Sequence, residues 1–594
     1  MMSAGKEETI DMKTRDLGHW EGMQNLPLLL KINGRKYGSD TALARVDGVS
    51  YSYEELDQAC RYLAVMLHSA GIGKGDRVAI LGENSPHWGA AYFGILIANG
   101  VTVPILPDFR GPDVRAILEH AEVKALFISG KLMQRVEDNM PPSVEMVIRL
   151  EDFTVCPVKE GKILAEGKRP EETKCTEEVK VSLKKLVPPA GAGEAPASFY
   201  TADPEDLASI IYTSGTTGRS KGVMLTHHNI LVNAKQARSI HEVTEEDVFL
   251  SVLPLAHTYE CTIGLMVPLL NGATVYYMDG PPTASALTPL LKKLMPTTML
   301  TVPLIIEKIY RTRIRPALYG SAVTRLLMKV GVTRRLFSRA AAKKLLQFFG
   351  GRIRFFGVGG APLAPDVEKF LIEGGFPYAI GYGLTETSPL LAGFGPQNPT
   401  YRSVGKPLSE VTLKIHQPDP VTHEGEIVVK GPNIMKGYYR DEEKTAEVFT
   451  EDGFFRTGDL GFIDRKGILH IRGRSKNMIL GPNGENIYPE EIEAVINSKE
   501  YVSESLVMQY SGKLVARVHL NLELLEERFQ HMKENAADFQ QHLNEKAEDI
   551  LADLLVQVNA HVSRNARLQQ MILQVQPFEK TPTQKIKRYL YSGM

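Results

Sequence analysis

Residues 212–222 read YTSGTTGRSKG and come at the end of the apolar stretch 207–212. A loop of this composition is suited to phosphate groups, because glycines let backbone N–H groups approach an anion while hydroxyl and cationic side chains add donors and charge. The residues concerned are the glycines Gly215, Gly218 and Gly222, the hydroxyl-bearing Thr213, Ser214, Thr216 and Thr217, and the cations Arg219 and Lys221. The sequence therefore predicts a phosphate-binding loop that follows a strand.

Two other interpretations of this run are weaker. A flexible turn rich in Gly, Ser and Thr is common between a strand and the next element, but a spacer needs no cations among its glycines. The loop of P-loop nucleotide-binding proteins requires the spacing G-x-x-x-x-G-K-Ser/Thr. Here Gly222 follows Lys221, so that spacing is absent.

Composition excludes several classes of protein. The 594 residues, 43% hydrophobic and 23% charged, are typical of a globular protein with more than one domain. A formal net charge of −1 argues against a nucleic-acid binder, whose surface would carry a basic excess. The four cysteines share no metal-ligand spacing, which indicates a reducing compartment and no structural zinc. With neither a signal-peptide pattern nor an apolar run of about 18–20 residues, the expected location is the cytoplasm.

The order of hydrophobic patterns predicts an α/β fold with a β-rich subdomain. The pattern alternates between strand and helix over 27–190 and again from 207 to about 395, and short alternating strands follow between 424 and 474. The stretch 151–203 lacks periodicity and is predicted to be an exposed insertion. We expect a large multi-sheet N-terminal domain over 1–473 and a small, mobile α+β domain over 474–594.

Seven motifs in a fixed order carry a resemblance to a known family. After the loop at 212–222 come LPLAHTYE at 253–260, GGAPL at 359–363, GYGLTETS at 381–388, RTGDL at 456–460, GRSKNMI at 473–479 and KTPTQKIKR at 580–588. In residue type, order and spacing they resemble the motifs of the adenylate-forming enzymes: acyl-CoA synthetases, luciferases and peptide-synthetase adenylation domains. The resemblance implies a ligase in which a carboxylate attacks ATP, giving an acyl-adenylate and pyrophosphate, and a thiol then displaces AMP.

The resemblance also implies roles for individual residues. Lys585 would bridge the substrate carboxylate and the α-phosphate, Thr385 would contact the α-phosphate, and Glu386 would hold Mg²⁺, which prefers one or two carboxylates together with phosphate oxygens. Asp459 would accept from the ribose hydroxyls, with Arg474 orienting the phosphates. The remaining nucleotide-binding residues would be Gly359, Gly360, Ala361 and Pro362, which line the base, and Gly381, Tyr382 and Gly383, with Tyr382 stacked on adenine.

For two further residues, an ordinary structural role is an alternative to the functional role that the resemblance implies. Lys476 matches the hinge about which the small domain of the family rotates, although a solvated linker charge is equally consistent with the sequence. His257 would line the acyl entrance, although a lone histidine beside apolar residues is commonly a core residue. Gln584 stands where shorter members of the family carry glycine, and in this the chain resembles the longer acyl-CoA synthetases.

The same resemblance suggests the substrate. Residues 301–316 and a helical insertion at 523–565 are similar to those of long-chain fatty acyl-CoA synthetases, so fatty acid, ATP and CoA are the expected substrates. Acyl carrier protein in place of CoA, or a medium-chain or aromatic acid, stays open, and a nucleotide-binding scaffold without turnover is disfavoured because Glu386 and Lys585 are both present.

Between Lys308 and Pro365 there are thirteen Lys or Arg and no Asp or Glu. This predicts either peripheral contact with the inner, anionic face of a membrane or a basic cover over an acidic neighbour or a CoA-phosphate surface.

Overall fold

Two large mixed sheets form the main body of the chain in a computed structural model. The described residues are 20, 22–136, 140–159, 161–163, 199–214, 220–280, 282–481, 485–521, 536–581 and 585–591, with side chains described from 547 onward in the last long helix. The expected α/β class with several sheets is confirmed.

The first large sheet is parallel through its middle. In spatial order its strands are β17 (Lys406–Pro407), β16 (Leu390–Phe394), β15 (Tyr378–Gly383), β14 (Phe355–Val358), β13 (Thr298–Thr301), β11 (Val248–Ser251), β12 (Thr274–Tyr277), β1 (Thr41–Arg45) and β2 (Ser50–Ser52). The strands from β15 to β1 pair in parallel, and the outer ones pair antiparallel. Residues that follow β13, β14 and β15 therefore meet at one edge, where ligands of parallel α/β sheets bind.

The second large sheet carries the glycine-rich loop. Its strands in spatial order are β20 (Gly437–Tyr438), β10 (Ser220–Thr226), β9 (Leu207–Ser214), β4 (Val101–Ile105), β3 (Arg77–Leu81), β5 (Ala125–Ile128), β6 (Met146–Arg149), β7 (Val155–Lys159) and β8 (Lys162–Ile163). Strands β9 and β10 form a hairpin that pairs Thr213 with Lys221, so residues 215–219, which lie outside the described residues, connect its two strands.

Helices cover both sheets. They are α1 (Leu26–Tyr37), α2 (Tyr53–Ser69), α3 (Pro86–Ile97), α4 (Gly111–His120), α5 (His227–Gln236), α6 (Val267–Asn271), α7 (Ala284–Leu294), α8 (Pro303–Ile309), α9 (Arg315–Tyr319), α10 (Ala322–Lys329), α11 (Gly331–Phe348), α12 (Pro365–Gly374) and α13 (Glu442–Glu447). Helix α2 begins at a capping box in which Ser52 and Glu55 each bond the backbone of the other, as their spacing predicts. Helix α3 is buried along its whole length, which explains its unbroken apolar composition.

Smaller sheets follow the main body. Strands β18 (Thr412–His416), β19 (Gly425–Lys430), β21 (Phe455–Ile463) and β22 (Leu469–Arg474) form an antiparallel sheet, and β23 (Ile479–Leu480) pairs with β24 (Asn486–Ile487). Strands β25 (Val502–Tyr510), β26 (Lys513–Leu520) and β27 (Gln570–Leu573) form the last sheet, on which α14 (Pro489–Asn497) and α15 (Ala536–Asn559) pack. Ala547, Leu551, Leu554 and Val558 recur at helical spacing on α15 and are core residues.

The predicted insertion at 151–203 differs from the structure at both ends. Phe153 is buried, and β7 and β8 extend the second sheet, while Phe199 packs in the main core. These ends are folded because their apolar residues fill space at the sheet edge, a contact that composition does not reveal. Residues 164–198 lie outside the described residues.

The state of the cysteines agrees only in part with the reducing compartment that the sequence indicates. Cys60 and Cys261 are free and buried, whereas Cys156 is disulfide-bonded. In the portion of the chain that the structure describes, no cluster of His, Cys, Asp and Glu could hold a metal by itself, and no helix has the length and hydrophobicity needed to cross a membrane.

Candidate active site

A buried carboxylate joins the end of β15 to the β21–β22 hairpin. Asp459 on β21 lies opposite Arg474 on β22, which explains their separation of 15 residues in sequence. The Arg474 guanidinium contacts one carboxylate oxygen of Asp459 at 2.9 Å, and the Tyr382 hydroxyl donates to the other at 2.7 Å. Burial raises the pKa of Asp459, while the Arg474 charge and the Tyr382 hydrogen bond act in the opposite direction. The sequence predicted all three as site residues, and the structure brings them together.

Glu386 lies on the same edge of the sheet, in the turn Thr385–Thr387 after β15. Its carboxylate accepts a hydrogen bond of 3.0 Å from the hydroxyl of Tyr438 on β20. A Cβ at Gly383 would lie 1.7 Å from the carbonyl oxygen of Pro389, so only glycine fits this chain reversal. Glu386 and Thr385 are both partly exposed toward solvent, as ligands of an incoming group must be.

Lys585 approaches this cluster from the C-terminal end of the chain. Its backbone closes a turn with Thr581, whose N–H donates to the Lys585 carbonyl at 2.8 Å. Although its side chain is exposed, protein surrounds it on most sides: desolvation and the Arg474 charge lower its pKa, and the Asp459 and Glu386 carboxylates oppose that shift. The charge of the residue predicted from sequence therefore interacts with both predicted carboxylates.

Cations gather around the same cleft. Lys221 lies over the Tyr438 ring, 4.9 Å from its centroid. Its pKa is lowered by burial and by the charges of Lys444 and Lys476, against the influence of Glu386. An anion bound here would offset the repulsion that neighbouring cations exert on Lys221. This arrangement suits a polyphosphate, and a single carboxylate beside it suits Mg²⁺ once phosphate oxygens complete the ligand set.

The loop Gly359–Pro362 follows β14 and borders the cleft. Gly360 has φ +84°, and a Cβ on Gly359 would meet the Tyr259 ring at 3.2 Å, so these glycines permit a tight approach. Gly222 does not fit the same explanation. A Cβ there would meet Ile210 at 2.9 Å and Tyr212 at 3.2 Å, so Gly222 serves packing within the hairpin and not approach to an anion.

His257 also belongs to the site. Its Nδ1 accepts from the Tyr259 backbone N–H at 3.2 Å, which fixes the ring. Burial, assisted by the charge of Lys585, lowers its pKa to about 4, so it is neutral at physiological pH. Lys476 lies in the exposed turn Ser475–Asn477 that follows β22, a position that a hinge or a solvated linker could equally occupy.

An apolar pocket adjoins the cleft. It encloses about 520 Å³ not filled by protein atoms, its open mouth included, and Tyr259 and Gly381 belong to both pocket and cleft. Other lining residues are Ile240, Phe249, Ile263, Leu300, Phe355 and Ile380. Such an apolar lining is typical of a site for an apolar ligand.

Sequence reasoning missed Tyr438, Glu260 and the pocket. Tyr438 lies in MKGYYR at 435–440, outside the motifs considered, and reaches Glu386 only through the pairing of β20 with β10. Glu260 was visible within LPLAHTYE but was not singled out. The pocket is built from residues far apart in sequence, so only the sheet order could have identified it.

Comparisons with known proteins agree with this geometry. The sequence profile of the AMP-binding enzyme family matches residues 30–439. A peroxisomal long chain acyl-CoA synthetase of Arabidopsis thaliana is 30% identical over 84% of this chain and 72% of the relative, and a long-chain-fatty-acid–CoA ligase of Mycobacterium tuberculosis is 29% identical over 91% of each. The ATP-bound MatB of Rhodopseudomonas palustris superposes with a TM-score of 0.70 at 23% identity, covering 95% of this chain and 98% of that one. O-succinylbenzoate CoA synthetase of Bacillus subtilis in complex with AMP gives 0.69 at 22%, with the same coverage; these two likenesses concern the fold.

The buried Glu260 should make the stability of the fold depend on pH. It is 1% exposed within the π-helix Tyr259–Met266, and burial raises its pKa to about 8. Because the folded pKa exceeds the unfolded one, near 4.3, the protein loses up to about 1.4 kcal/mol of stability per pH unit as pH rises between these values. Replacing Glu260 with Gln removes this loss, so the thermal midpoint of the variant should gain on the wild type from pH 5 to pH 8. The exposed Glu451→Gln is the control, and a pH-independent difference for Glu260→Gln would contradict the assignment.

Proposed function

We propose, on the premise that this chain belongs to the family of AMP-binding enzymes, that it is a ligase which activates a long-chain fatty acid and transfers it to CoA. As an adenylate-forming acyl-CoA ligase it uses ATP, Mg²⁺ and CoA. The observation that supports the long-chain assignment is the almost wholly apolar lining of the pocket beside the anion-binding cleft. The names of the relatives from Arabidopsis and Mycobacterium support it.

The first chemical step joins two anions, so its main requirement is neutralisation and alignment of charge. A carboxylate oxygen attacks the α-phosphorus of ATP, the bond from that phosphorus to the bridging oxygen breaks, and pyrophosphate leaves. In our proposal the Lys585 ammonium bridges the attacking carboxylate and the α-phosphate, and Lys221 with residues 213–218 holds the outer phosphates. Mg²⁺, when bound at Glu386, neutralises charge on the phosphate oxygens.

The remaining residues position the nucleotide. Asp459 accepts from the ribose hydroxyls, since its carboxylate is held in one orientation by Tyr382 and Arg474. Thr385 contacts the α-phosphate, and Gly359–Pro362 line the base, against which the Tyr382 ring stacks. In the second step the CoA thiol attacks the acyl carbonyl carbon and AMP leaves. Lys476, as the hinge between 1–473 and 474–594, would let the segment carrying Lys585 withdraw before this step.

Replacing Lys585 with Ala should separate the two half-reactions. Pyrophosphate release without CoA should fall by about 10²–10³-fold, the usual loss for one stabilising donor in the transition state. Thioester formation from supplied acyl-adenylate should persist, because the lysine acts only in the first step. Lys587→Ala is the matched control, since its ammonium pairs with Glu579. Equal loss in both half-reactions would refute the role given to Lys585.

Substrate and acceptor can be tested together. Pyrophosphate release should rise with chain length into the long-chain range, with CoA preferred over acyl carrier protein when each is offered alone. Ala237→Leu narrows the pocket and should shift the optimum to shorter acids, whereas the exposed Ala446→Leu should not. An optimum at acetate or at an aromatic acid would favour the alternative ligase, and turnover only with carrier protein would change the acceptor.

Peripheral contact with an anionic membrane is part of the proposal. Helices α10 and α11, with the residue Val330 between them, expose Val323, Leu326, Val330, Val332 and Leu336, each between 55% and 71% accessible. On each helix these residues recur at helical spacing, so they form an apolar face. The exposed cations around it are Arg325, Lys329, Arg335, Arg339 and Lys343. An apolar face bordered by cations suits an anionic lipid surface, which would supply the poorly soluble acid.

The structure reduces the set of cations available for this contact. Arg334 makes a bidentate pair with Glu373, and Arg354 pairs with Asp247. Arg311 and Arg315 donate to the backbone carbonyls of Asn497 and Ser498 in the C-terminal part of the chain. The basic stretch therefore serves partly as a cover for neighbouring acids and carbonyls, as the second interpretation of the sequence expects.

Changing Arg335 and Arg339 to Gln should weaken co-sedimentation with anionic vesicles by about tenfold or more, at about 1 kcal/mol per cation near the surface. Binding should also weaken with salt, since exposed charges are screened over about 8–10 Å at physiological ionic strength. The matched control is Arg465→Gln with Lys466→Gln, which removes two exposed charges elsewhere. Failure of the wild type to bind anionic vesicles at low salt would show that the face has another purpose.

A further inference from the structure

Two polar atoms in the wall of the apolar pocket lack a hydrogen-bond partner among the described residues. They are Nε2 of His241 and Oγ1 of Thr298, and both side chains line the pocket. Thr298 is 1% exposed, so bulk water does not solvate its hydroxyl. Buried polar groups are nearly always hydrogen-bonded, and an orphaned one calls for a ligand or an ordered water.

The two atoms belong to one region of the pocket wall. Thr298 on β13 lies directly opposite Phe249 on β11 and Phe355 on β14. The His241 ring stacks on Phe355, with ring centroids 4.7 Å apart and the planes inclined by 23°. Neighbouring strands are about 4.8 Å apart, so His241 and Thr298 lie beside each other over adjacent strands.

This polar pair lies at the end of the pocket away from the reacting groups. Strand β14 runs from Phe355 toward Gly359, whose loop borders the nucleotide cleft. At about 3.3 Å per residue, the level of Phe355 and Thr298 is roughly 13 Å from Gly359 along the strand. A group bound by the pair would therefore belong to the distal part of an acyl chain whose carboxylate lies at Lys585.

The chemistry of His241 and Thr298 favours a ligand group with an uncharged oxygen, such as a hydroxyl. Burial lowers the pKa of His241, so its ring is uncharged at neutral pH. The charged groups that act on His241 are Asp247, Arg354 and Glu242. Asp247 and Arg354 are joined at 2.6 Å, Asp247 also accepts from Thr297, and Glu242 accepts from Arg238 at 3.0 Å. The pocket thus offers no free charge to a carboxylate or an amine there, whereas a hydroxyl can both donate to and accept from an imidazole nitrogen and a threonine hydroxyl.

We propose that the pocket accepts a fatty acid bearing a hydroxyl in the distal half of its chain, with His241 Nε2 and Thr298 Oγ1 as its hydrogen-bond partners. The inference rests on the proposed fatty acid–CoA ligase function and narrows its substrate class. Discrimination arises because an unsubstituted chain leaves both protein groups unpaired, and a site built for a hydroxyl rejects the analogue that lacks it.

The test compares kcat/KM for palmitate with that for a series of hydroxypalmitates in which the hydroxyl moves stepwise through the distal half of the chain. The wild type should prefer at least one hydroxylated isomer by about tenfold, the effect of one good hydrogen bond. In Thr298→Val and in His241→Phe, which keep shape and stacking, the ratio of hydroxylated to plain acid should fall toward one. Thr301→Val is the control, since Thr301 is on the same strand with its hydroxyl directed to the Gly357 carbonyl.

The results of this test distinguish failure of the hydroxyl-binding inference from failure of the proposed ligase function. Equal kcat/KM for plain and hydroxylated acids in the wild type overturns the inference without any variant, and leaves the fatty acid ligase intact; an ordered water would then occupy the polar pair. A wild-type preference that persists in Thr298→Val and His241→Phe also overturns it, because the hydroxyl would be bound elsewhere. Turnover of no fatty acid at all refutes the proposed function, and the inference with it.

Discussion

The pairing of Asp459 with Arg474 and Tyr382 is the interaction on which the cleft depends. The Asp459 side chain is 8% exposed, and a carboxylate in such a place is stable only if it is paired and hydrogen-bonded. The two partners come from separate sheets, Tyr382 from the end of β15 and Arg474 from the end of β22. The pairing of this one charge therefore holds the small antiparallel sheet against the parallel one.

The cations of the cleft show why an anionic substrate belongs there. Lys221 and Lys585 both have lowered pKa values, and in each case other cations contribute to the shift after burial. Repulsion from these cations disfavours the charged forms of Lys221 and Lys585, and an anion in the cleft would offset it. The cationic side chains are therefore preorganised for an anion in the ligand-free protein. Binding energy is not needed to bring these cations together.

Sequence patterns identified features that are local in the chain, but not contacts between distant segments. Asp459, Arg474, Glu386 and Lys585 each lie in a turn or hairpin that a short run of sequence determines, and their roles stay predictions. The structure assigned Gly222 to packing, since its neighbours Ile210 and Tyr439 approach through strand pairing that a linear pattern does not express. The partners of Arg334 and the wall formed by His241 and Thr298 were inaccessible for the same reason: sheet order, and not spacing, brings them together.

The β21–β22 hairpin has a consequence for the order of events. Asp459 and Arg474 are its last paired residues, so the counter-ion of the buried carboxylate belongs to the hairpin itself, whereas Lys585 comes from the far end of the chain. Departure of Lys585 leaves Asp459 still compensated, and no bare charge is created in the interior. In the proposed mechanism, withdrawal of Lys585 removes one cation that acts on Asp459, but the contact with Arg474 stays, so Asp459 could still hold the ribose after the first step.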